Sequence, residues 1–122
     1  MGRYYVYTWT YPDGYIDDDG TNLSGIIFYV GKGSRDRIDN HERLAIDFSR
    51  PQTAVSKTIR SIWRAGGKTL KLKPLKQKVA FFDDEKEAHA YEKQLIESLR
   101  GTGYLVNEKH NKARGKERLA QE

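Results

Sequence analysis

The alternation of apolar and polar residues predicts three strands in this chain. Residues 3–11 are aromatic or β-branched in near alternation, which is typical of a strand, and residues 26–30 form a second short apolar run. An acidic loop at residues 17–25 separates them, so we expect the two strands to pair as a hairpin around a long connection. Residues 78–82 predict the third strand, and Pro74 indicates that its ladder begins after that proline or runs at a sheet edge.

Helical spacing of apolar residues is present in three further segments, at residues 37–49, 52–65 and 85–100. Gly31-Lys32-Gly33 is expected to end the second strand, either as a tight turn or as a close approach to a phosphate. The order strand, strand, helix, helix, strand, helix predicts an α+β domain with helices packed on a small sheet. The buried face of the first helix is expected to comprise Ile38, His41, Leu44, Ala45 and Phe48.

Length and composition narrow the class of protein. The chain has 122 residues, enough for one domain with a modest core, and no cysteine, which excludes disulfides, cysteine-ligated zinc and a thiol nucleophile. No apolar stretch reaches membrane-spanning length and residues 1–11 lack the character of a secretory leader. We therefore expect an intracellular protein, with a folded domain over residues 1–108 and a basic tail over residues 109–122.

Basic residues are concentrated in particular segments. The chain carries 22 Lys and Arg against 17 Asp and Glu, and residues 57–78 hold eight basic residues and no acid. A segregated basic surface suits a polyanion, usually nucleic acid, although such a surface can also serve solubility alone. The residues expected to contact nucleic acid are Lys32, Lys57, Arg60, Arg64, Lys68 and Lys71.

One carboxylate interrupts the apolar stripe of the third predicted helix. Glu92 lies one turn after Ala88 and one turn before Ile96, on the face that should meet the core. A carboxylate at such a position is costly unless it meets a cation or a metal ion. Glu92 is therefore either a metal ligand or a side chain at the edge of the stripe, in water or paired with Lys or Arg.

Arg37 and His41 are four residues apart in the first predicted helix, so they share one face. A guanidinium presents a planar set of donors that suits phosphate, and an imidazole can act as base, acid or hydrogen-bond donor near neutral pH. A lone, partly buried histidine is more often structural. The pair together, beside a glycine-rich segment on a basic chain, indicates phosphate chemistry.

These elements, in this order, resemble the GIY-YIG nuclease family. Tyr5-Val6-Tyr7 stands where that family has Gly-Ile-Tyr, and Tyr29-Val30-Gly31 stands for its Tyr-Ile-Gly. The run FYVGKG at residues 28–33 is especially similar to the branch that contains the ankyrin-repeat, LEM-domain nucleases and many phage and bacterial relatives. This resemblance implies a cytoplasmic protein of bacterial or phage type. The chain departs from the family pattern in two places, because Tyr5 replaces the first glycine and the acidic loop lengthens the spacing between the two motifs.

The resemblance implies a small, mainly antiparallel three-stranded sheet flanked by helices, and a metal-dependent endonuclease that cuts DNA to leave 5′-phosphate and 3′-hydroxyl ends. It implies that Glu92 holds one Mg²⁺, with Mn²⁺ as an alternative, that Arg37 neutralises the phosphate and that Tyr7 or Tyr29 activates water. His41 would orient a tyrosine or shuttle a proton, and Asn107 would support the site. The implied catalytic set is Tyr7, Tyr29, Arg37, His41, Glu92 and Asn107.

A rival hypothesis is a nucleic-acid-binding protein without catalysis, which would use the basic surface at residues 57–78 and the hairpin tyrosines. Such a binder does not require a glutamate inside an apolar stripe or an Arg–His pair one helical turn apart. A third hypothesis is a regulatory protein on a degenerate nuclease scaffold. It is disfavoured because each expected catalytic residue type is present in the sequence.

Overall fold

The computed structural model describes residues 2–66 and 72–107. Its elements follow the predicted order, and the α+β fold class with an antiparallel three-stranded sheet is confirmed. In chain order the elements are β1 (Tyr4–Thr10), β2 (Ile27–Ser34), a 3-10 turn (Arg37–Asp39), α1 (Asn40–Ile46), α2 (Ala54–Ala65), β3 (Leu75–Phe82), α3 (Glu85–Leu99) and a second 3-10 turn (Arg100–Thr102).

The sheet has the order β2-β1-β3, and both pairings are antiparallel. The aromatic and β-branched β1 is the central strand, in keeping with its strong strand propensity, and it forms the predicted long-connection hairpin with β2. β3 begins directly after Pro74 at an edge of the sheet, as the proline indicated. The pairing places Tyr7 of β1 opposite Gly31 of β2.

The two faces of the sheet pack against different helices, because successive side chains of a strand point to opposite sides. Tyr5, Tyr7 and Trp9 belong to the larger core cluster, which includes α1 and α2 residues. On the opposite face Val6 belongs to a smaller cluster with Ala88 and other residues of α3. The sheet is thus covered on both sides, and β1 is buried between the two layers.

The prediction that Gly31-Lys32-Gly33 ends the second strand is wrong. β2 continues through these residues to Ser34, with Gly33 paired opposite Tyr5. Neither glycine has the positive φ that would mark a turn. Their lack of side chains instead makes room for neighbouring groups, as described below for the candidate active site.

The helix predicted over residues 37–49 is shorter than expected. It consists of a 3-10 turn followed by α1, and α1 ends at Ile46 because Asp47 adopts an extended conformation. Phe48, which was expected in the core, is therefore outside the helix and 81% exposed. α2 begins at Ala54, after Thr53, whose side chain caps the helix by accepting a hydrogen bond from the Ser56 amide.

Several predicted features lie outside the described residues, namely the basic tail at 109–122 and the two lysines Lys68 and Lys71. Among the helices that the structure does describe, none combines the length and apolar character needed to cross a bilayer. The prediction of a domain boundary after residue 108 stays a prediction.

Candidate active site

A polar cavity of about 250 Å³ lies at the outer edge of β2. Tyr7 and Tyr29 reach it from one face of the sheet, whereas Lys32 and Ser34 belong to the other face by strand alternation. Residues from both faces meet in one cavity because β2 is an edge strand. The lining residues are Tyr4, Tyr7, Tyr29, Lys32, Gly33, Ser34, Arg37, Glu85 and Glu92.

Two glycines of β2 accommodate the side chains that form this cavity. A methyl group at Gly31 would lie 2.4 Å from Cζ and 2.5 Å from the hydroxyl oxygen of Tyr7, so the Tyr7 ring crosses directly over the backbone of β2. A methyl group at Gly33 would lie 2.6 Å from Cβ and Cγ of Arg37. The Gly-Lys-Gly segment therefore serves close packing of a tyrosine and an arginine across the edge strand.

Tyr7 is held by a hydrogen bond between its hydroxyl and Nε2 of His41, at 2.9 Å. Burial raises the pKa of the Tyr7 phenol well above its usual value, and the adjacent Tyr29 adds to the rise, while Arg37 lowers the pKa. Burial, together with the charge of Arg37, lowers the pKa of His41 to about 4. In the absence of a bound cation, both Tyr7 and His41 are therefore neutral at neutral pH.

Tyr29 lies beside this pair and connects the cavity with a second, smaller one. Its ring centroid is 6.0 Å from that of Tyr7 and 4.7 Å from that of His41. The second cavity, of about 160 Å³, is lined by Tyr29, His41 and Asn107 among others. Thus Tyr7, Tyr29, Arg37 and Glu92 line the main cavity, and His41 and Asn107 lie behind it.

Arg37 is positioned by a tyrosine that the sequence analysis did not assign to the site. The Tyr5 hydroxyl donates to the Arg35 carbonyl at 2.7 Å and accepts from the Ile38 amide at 3.1 Å. These two bonds fix the turn that carries Arg37. The relevant signal was present in the sequence, because Tyr5 and Tyr7 are two residues apart and share one strand face.

Glu92 is buried on the apolar face of α3, as its position in the stripe predicted, with 8% of its surface exposed. His89 Nδ1 lies 3.5 Å from its carboxylate. Within residues 2–66 and 72–107 no group of three or more His, Asp and Glu side chains could enclose a metal ion. A hard divalent ion with mostly water and phosphate oxygens as ligands fits this single buried carboxylate, since Mg²⁺ usually keeps several waters.

Glu85 is a second carboxylate at the cavity that the sequence analysis missed. It accepts a hydrogen bond from Lys32 Nζ at 3.0 Å. Glu85 precedes Glu92 by seven residues, so both lie on the same face of α3, and that spacing was the available signal. An acidic residue in the first turn of a helix is common for reasons of helix stability, which explains why this one did not stand out.

Asn107 fixes the edge of β2 next to the site. Its Oδ1 accepts from the Val30 amide at 3.0 Å, and its Nδ2 donates to the Val30 carbonyl at 2.6 Å. The preceding Val106 amide donates to the Phe28 carbonyl at 2.7 Å. Asn107 thus holds the strand segment that carries both Tyr29 and Gly31, which is the contact of a positioning residue.

The basic residues predicted on α2 do not line this cavity. Lys57 and Arg64 are exposed on the helix surface. Arg60 is engaged within the protein, since its Nε donates to the Ala45 carbonyl at 2.6 Å and its guanidinium stacks on Phe48. Their contact with nucleic acid stays a prediction.

A model of the LEM-3-like GIY-YIG domain matches residues 21–121, most of the chain. The chain belongs to the GIY-YIG nuclease family. The predicted family and its branch are thereby confirmed, and GIY-YIG membership implies a nucleic-acid substrate. Comparison with curated proteins gives no significant match, and comparison with solved structures gives none.

The matched range begins after β1, so the first GIY-YIG motif at Tyr5–Tyr7 lies outside it. The structure supplies this missing part, because β1 pairs with β2 and brings Tyr7 across Gly31 into the cavity. The same range runs past residue 108, through the predicted boundary between domain and tail.

Proposed function

We propose that this GIY-YIG protein is a divalent-metal-dependent endonuclease that hydrolyses DNA phosphodiester bonds and leaves 5′-phosphate and 3′-hydroxyl ends. The observation that carries the proposal is the single cavity that Tyr7, Tyr29, Arg37 and the buried Glu92 share. A proton acceptor, a phosphate-binding cation and a metal-binding carboxylate are the groups that phosphodiester hydrolysis needs.

Glu92 is the residue proposed to hold Mg²⁺ or Mn²⁺. When bound there, such an ion would add positive charge that stabilises the leaving 3′ oxygen and lowers the pKa of nearby acids. Glu92 suits this role because its carboxylate is nearly buried yet lines a polar cavity. Ligation of the ion would also offset the cost of burying a carboxylate on an otherwise apolar helix face.

Tyr7 is proposed to act as the base in its phenolate form. Its phenol proton first leaves to solvent, and the phenolate then accepts the proton of the attacking water, with His41 as its positioning residue. His41 is neutral at neutral pH, because burial and Arg37 disfavour the imidazolium. It therefore orients the Tyr7 oxygen through the 2.9 Å hydrogen bond and is a poor site for storing a proton. Burial raises the pKa of the Tyr7 phenol, whereas the charge of Arg37 lowers it and so favours the phenolate. A metal ion bound at Glu92 would lower this pKa further.

Arg37 and Lys32 are proposed to bind the phosphate. Both line the cavity, and Arg37 offers a planar donor set that matches two phosphate oxygens. Lys32 is paired with Glu85, so it would bind phosphate either in place of that carboxylate or with another of its three ammonium hydrogens. Arg37 then faces the negative charge that grows on the phosphate in the transition state.

The test is a nuclease assay with duplex, single-stranded and branched DNA in Mg²⁺, Mn²⁺ or EDTA. Wild type is compared with Glu92→Gln and with Glu87→Gln, a matched control that removes an exposed carboxylate of the same helix away from the cavity. We expect metal-dependent cleavage by wild type and Glu87→Gln and none by Glu92→Gln. End analysis of the products checks the 5′-phosphate.

Two outcomes would contradict the proposal. Equal cleavage by Glu92→Gln and wild type would remove Glu92 as metal ligand. Binding of DNA without cleavage under every metal condition would favour the rival hypothesis, a nucleic-acid-binding protein without catalysis. A far-UV circular dichroism spectrum of each variant ensures that loss of activity is not loss of fold.

A further inference from the structure

The loop between α1 and α2 holds an aromatic side chain in solvent. Phe48 is 81% exposed, yet the backbone around it is held by hydrogen bonds. The Gln52 side-chain amide donates to the carbonyls of Leu44, Asp47 and Arg50, at 2.8, 3.0 and 3.1 Å. The exposure of Phe48 is thus a feature of an ordered, hydrogen-bonded loop.

One face of the Phe48 ring is covered by a cation. The guanidinium carbon of Arg60 lies 3.9 Å from the ring centroid, and Arg60 Nε is anchored on the Ala45 carbonyl at 2.6 Å. Arg60 is one of the residues predicted to contact nucleic acid, and in the structure its guanidinium lies over the Phe48 ring. The opposite face of the ring faces solvent, as its high exposure requires.

The surroundings of this ring are mainly basic, with the carboxylate of Asp47, directly before Phe48, close to Arg50 and Arg60. Residues 48–66 contain four basic side chains and no acid, and the basic residues are Arg50, Lys57, Arg60 and Arg64. An aromatic face amid cations suits a ligand that presents both a flat π surface and negative charge. Nucleic acid has this combination, and base stacking on aromatic side chains flanked by basic groups is a common mode of binding unpaired strands.

We propose that Phe48, backed by Arg60, is a stacking platform for an unpaired nucleobase of the strand that enters the cavity. This inference deepens the proposed function and depends on a nucleic-acid strand occupying the cavity. α1 links the two places, since His41 lies in its first turn and Phe48 follows its last residue by two positions. The seven residues of α1 span about 10 Å, so the stacked base lies within a few nucleotides of the cleaved bond.

The test uses the full chain in EDTA, so that binding is measured without cleavage. The probes are short single-stranded DNA oligonucleotides with one 2-aminopurine placed at successive positions, and the readouts are fluorescence quenching and binding affinity. Phe48→Leu keeps an apolar side chain but removes the π face, and Phe48→Trp keeps that face. Phe81→Leu is the matched control, because Phe81 is also exposed but lies on β3 without a stacked cation among the described contacts.

We expect quenching at one or two positions of the oligonucleotide in wild type and in Phe48→Trp. Phe48→Leu should lose that quenching and bind about tenfold more weakly, as expected for loss of one base stack. Its salt dependence should be unchanged, since no phosphate contact is removed. Phe81→Leu should bind like wild type.

Undiminished quenching and affinity in Phe48→Leu would overturn the platform, as would an equal loss in Phe81→Leu. A change of sedimentation behaviour in Phe48→Leu without DNA would also overturn it, because Phe48 would then be a contact between copies of the chain. Cleavage by wild type in Mg²⁺, assayed in parallel, separates the two proposals. Quenching without cleavage would support the stacking platform and refute the nuclease activity. Cleavage without quenching would support the nuclease activity and refute the platform.

Discussion

The outer edge of β2 and the exposed surface of α2 both carry polar and basic residues, but they are built differently. At the edge of β2, side chains are fixed by the fold: His41 holds Tyr7, and Asn107 holds the strand itself. On α2, Lys57 and Arg64 extend into solvent. Hydrogen bonds therefore fix the side-chain positions at the edge of β2, whereas on α2 the fold fixes only the surface from which the side chains extend.

This difference predicts how each region responds to substitution. Groups that act together in a fixed geometry lose most of their effect when one is removed, whereas exposed charges act nearly independently. We therefore expect all-or-none effects at the edge of β2 and small, additive effects on α2. The following changes test that contrast, from the largest expected effect to the smallest.

Tyr7→Phe removes only the hydroxyl that His41 holds. We expect cleavage to fall by about 10²–10⁴-fold, the usual contribution of a general base, while the fold is retained. The control is Tyr11→Phe, which removes the hydroxyl of a buried tyrosine that stacks on Tyr15 and does not line the cavity. Single-turnover cleavage rates measure the effect, and a comparable loss in both variants would argue against Tyr7 as the base.

Gly31→Ala places a methyl group where the Tyr7 ring crosses β2. The contact of 2.4 Å must be relieved by a shift of the ring or the strand, which should cost about 1–3 kcal/mol of unfolding free energy and much of the cleavage activity. Gly101→Ala is the control, because a methyl group there meets nothing within 4 Å. Urea unfolding and the cleavage assay are compared for the two variants. A Gly31→Ala protein as active and stable as wild type would show that the packing of Tyr7 over β2 tolerates the methyl group.

His41 predicts a pH dependence of stability. Its pKa is lowered to about 4 in the folded protein, from about 6.5 in the unfolded chain. As the pH falls from about 6.5 to about 4, the unfolded state binds a proton that the folded state does not, so the unfolding free energy decreases. His41→Asn should lose this part of the slope, and urea unfolding across the same pH range tests it. An unchanged slope in His41→Asn would assign the pH dependence to other groups.

Lys57→Gln and Arg64→Gln, on α2, should have the smallest effects. Each should leave cleavage at saturating DNA unchanged and reduce the slope of log binding constant against log salt by about one. The double variant should show the sum of the two changes. A salt slope that stays at the wild-type value would mean that this surface of α2 does not contact phosphate. A loss of cleavage at saturating DNA would contradict the expected difference between the edge of β2 and α2.

The sequence was sufficient for the order of elements and for the burial of Glu92, because both follow from apolar periodicity. It was not sufficient for the role of Gly31 and Gly33, since glycine in a sequence is as compatible with a turn as with close packing in a strand. Glu85 was missed because its importance depends on its ion pair with Lys32, whose Nζ lies 3.0 Å from the Glu85 carboxylate. Such contacts between distant segments have no local signature.

The exposure of Phe48 is a second feature that the sequence did not predict, because it depends on where α1 ends. Its spacing from Ala45 fits a helical stripe, but α1 stops at Ile46, where Asp47 turns the chain and the Gln52 amide takes up the carbonyls. Helix ends of this kind depend on side-chain hydrogen bonds that compete with the bonds of the helix. The spacing of apolar residues does not predict such bonds.

The central place of β1 in the sheet determines the order in which the molecule can be assembled. β1 is synthesised before both of its partners, and its pairing of Tyr4 with Phe82 must wait until β3 has left the ribosome. Until then, the edge of β1 that later pairs with β3 has unpaired backbone donors and acceptors. An exposed edge of this kind is prone to mispairing and aggregation. Non-local closure of this kind also slows folding. The strand that carries Tyr7 is therefore the one most at risk during biosynthesis, and the yield of soluble protein depends on how soon β3 covers it.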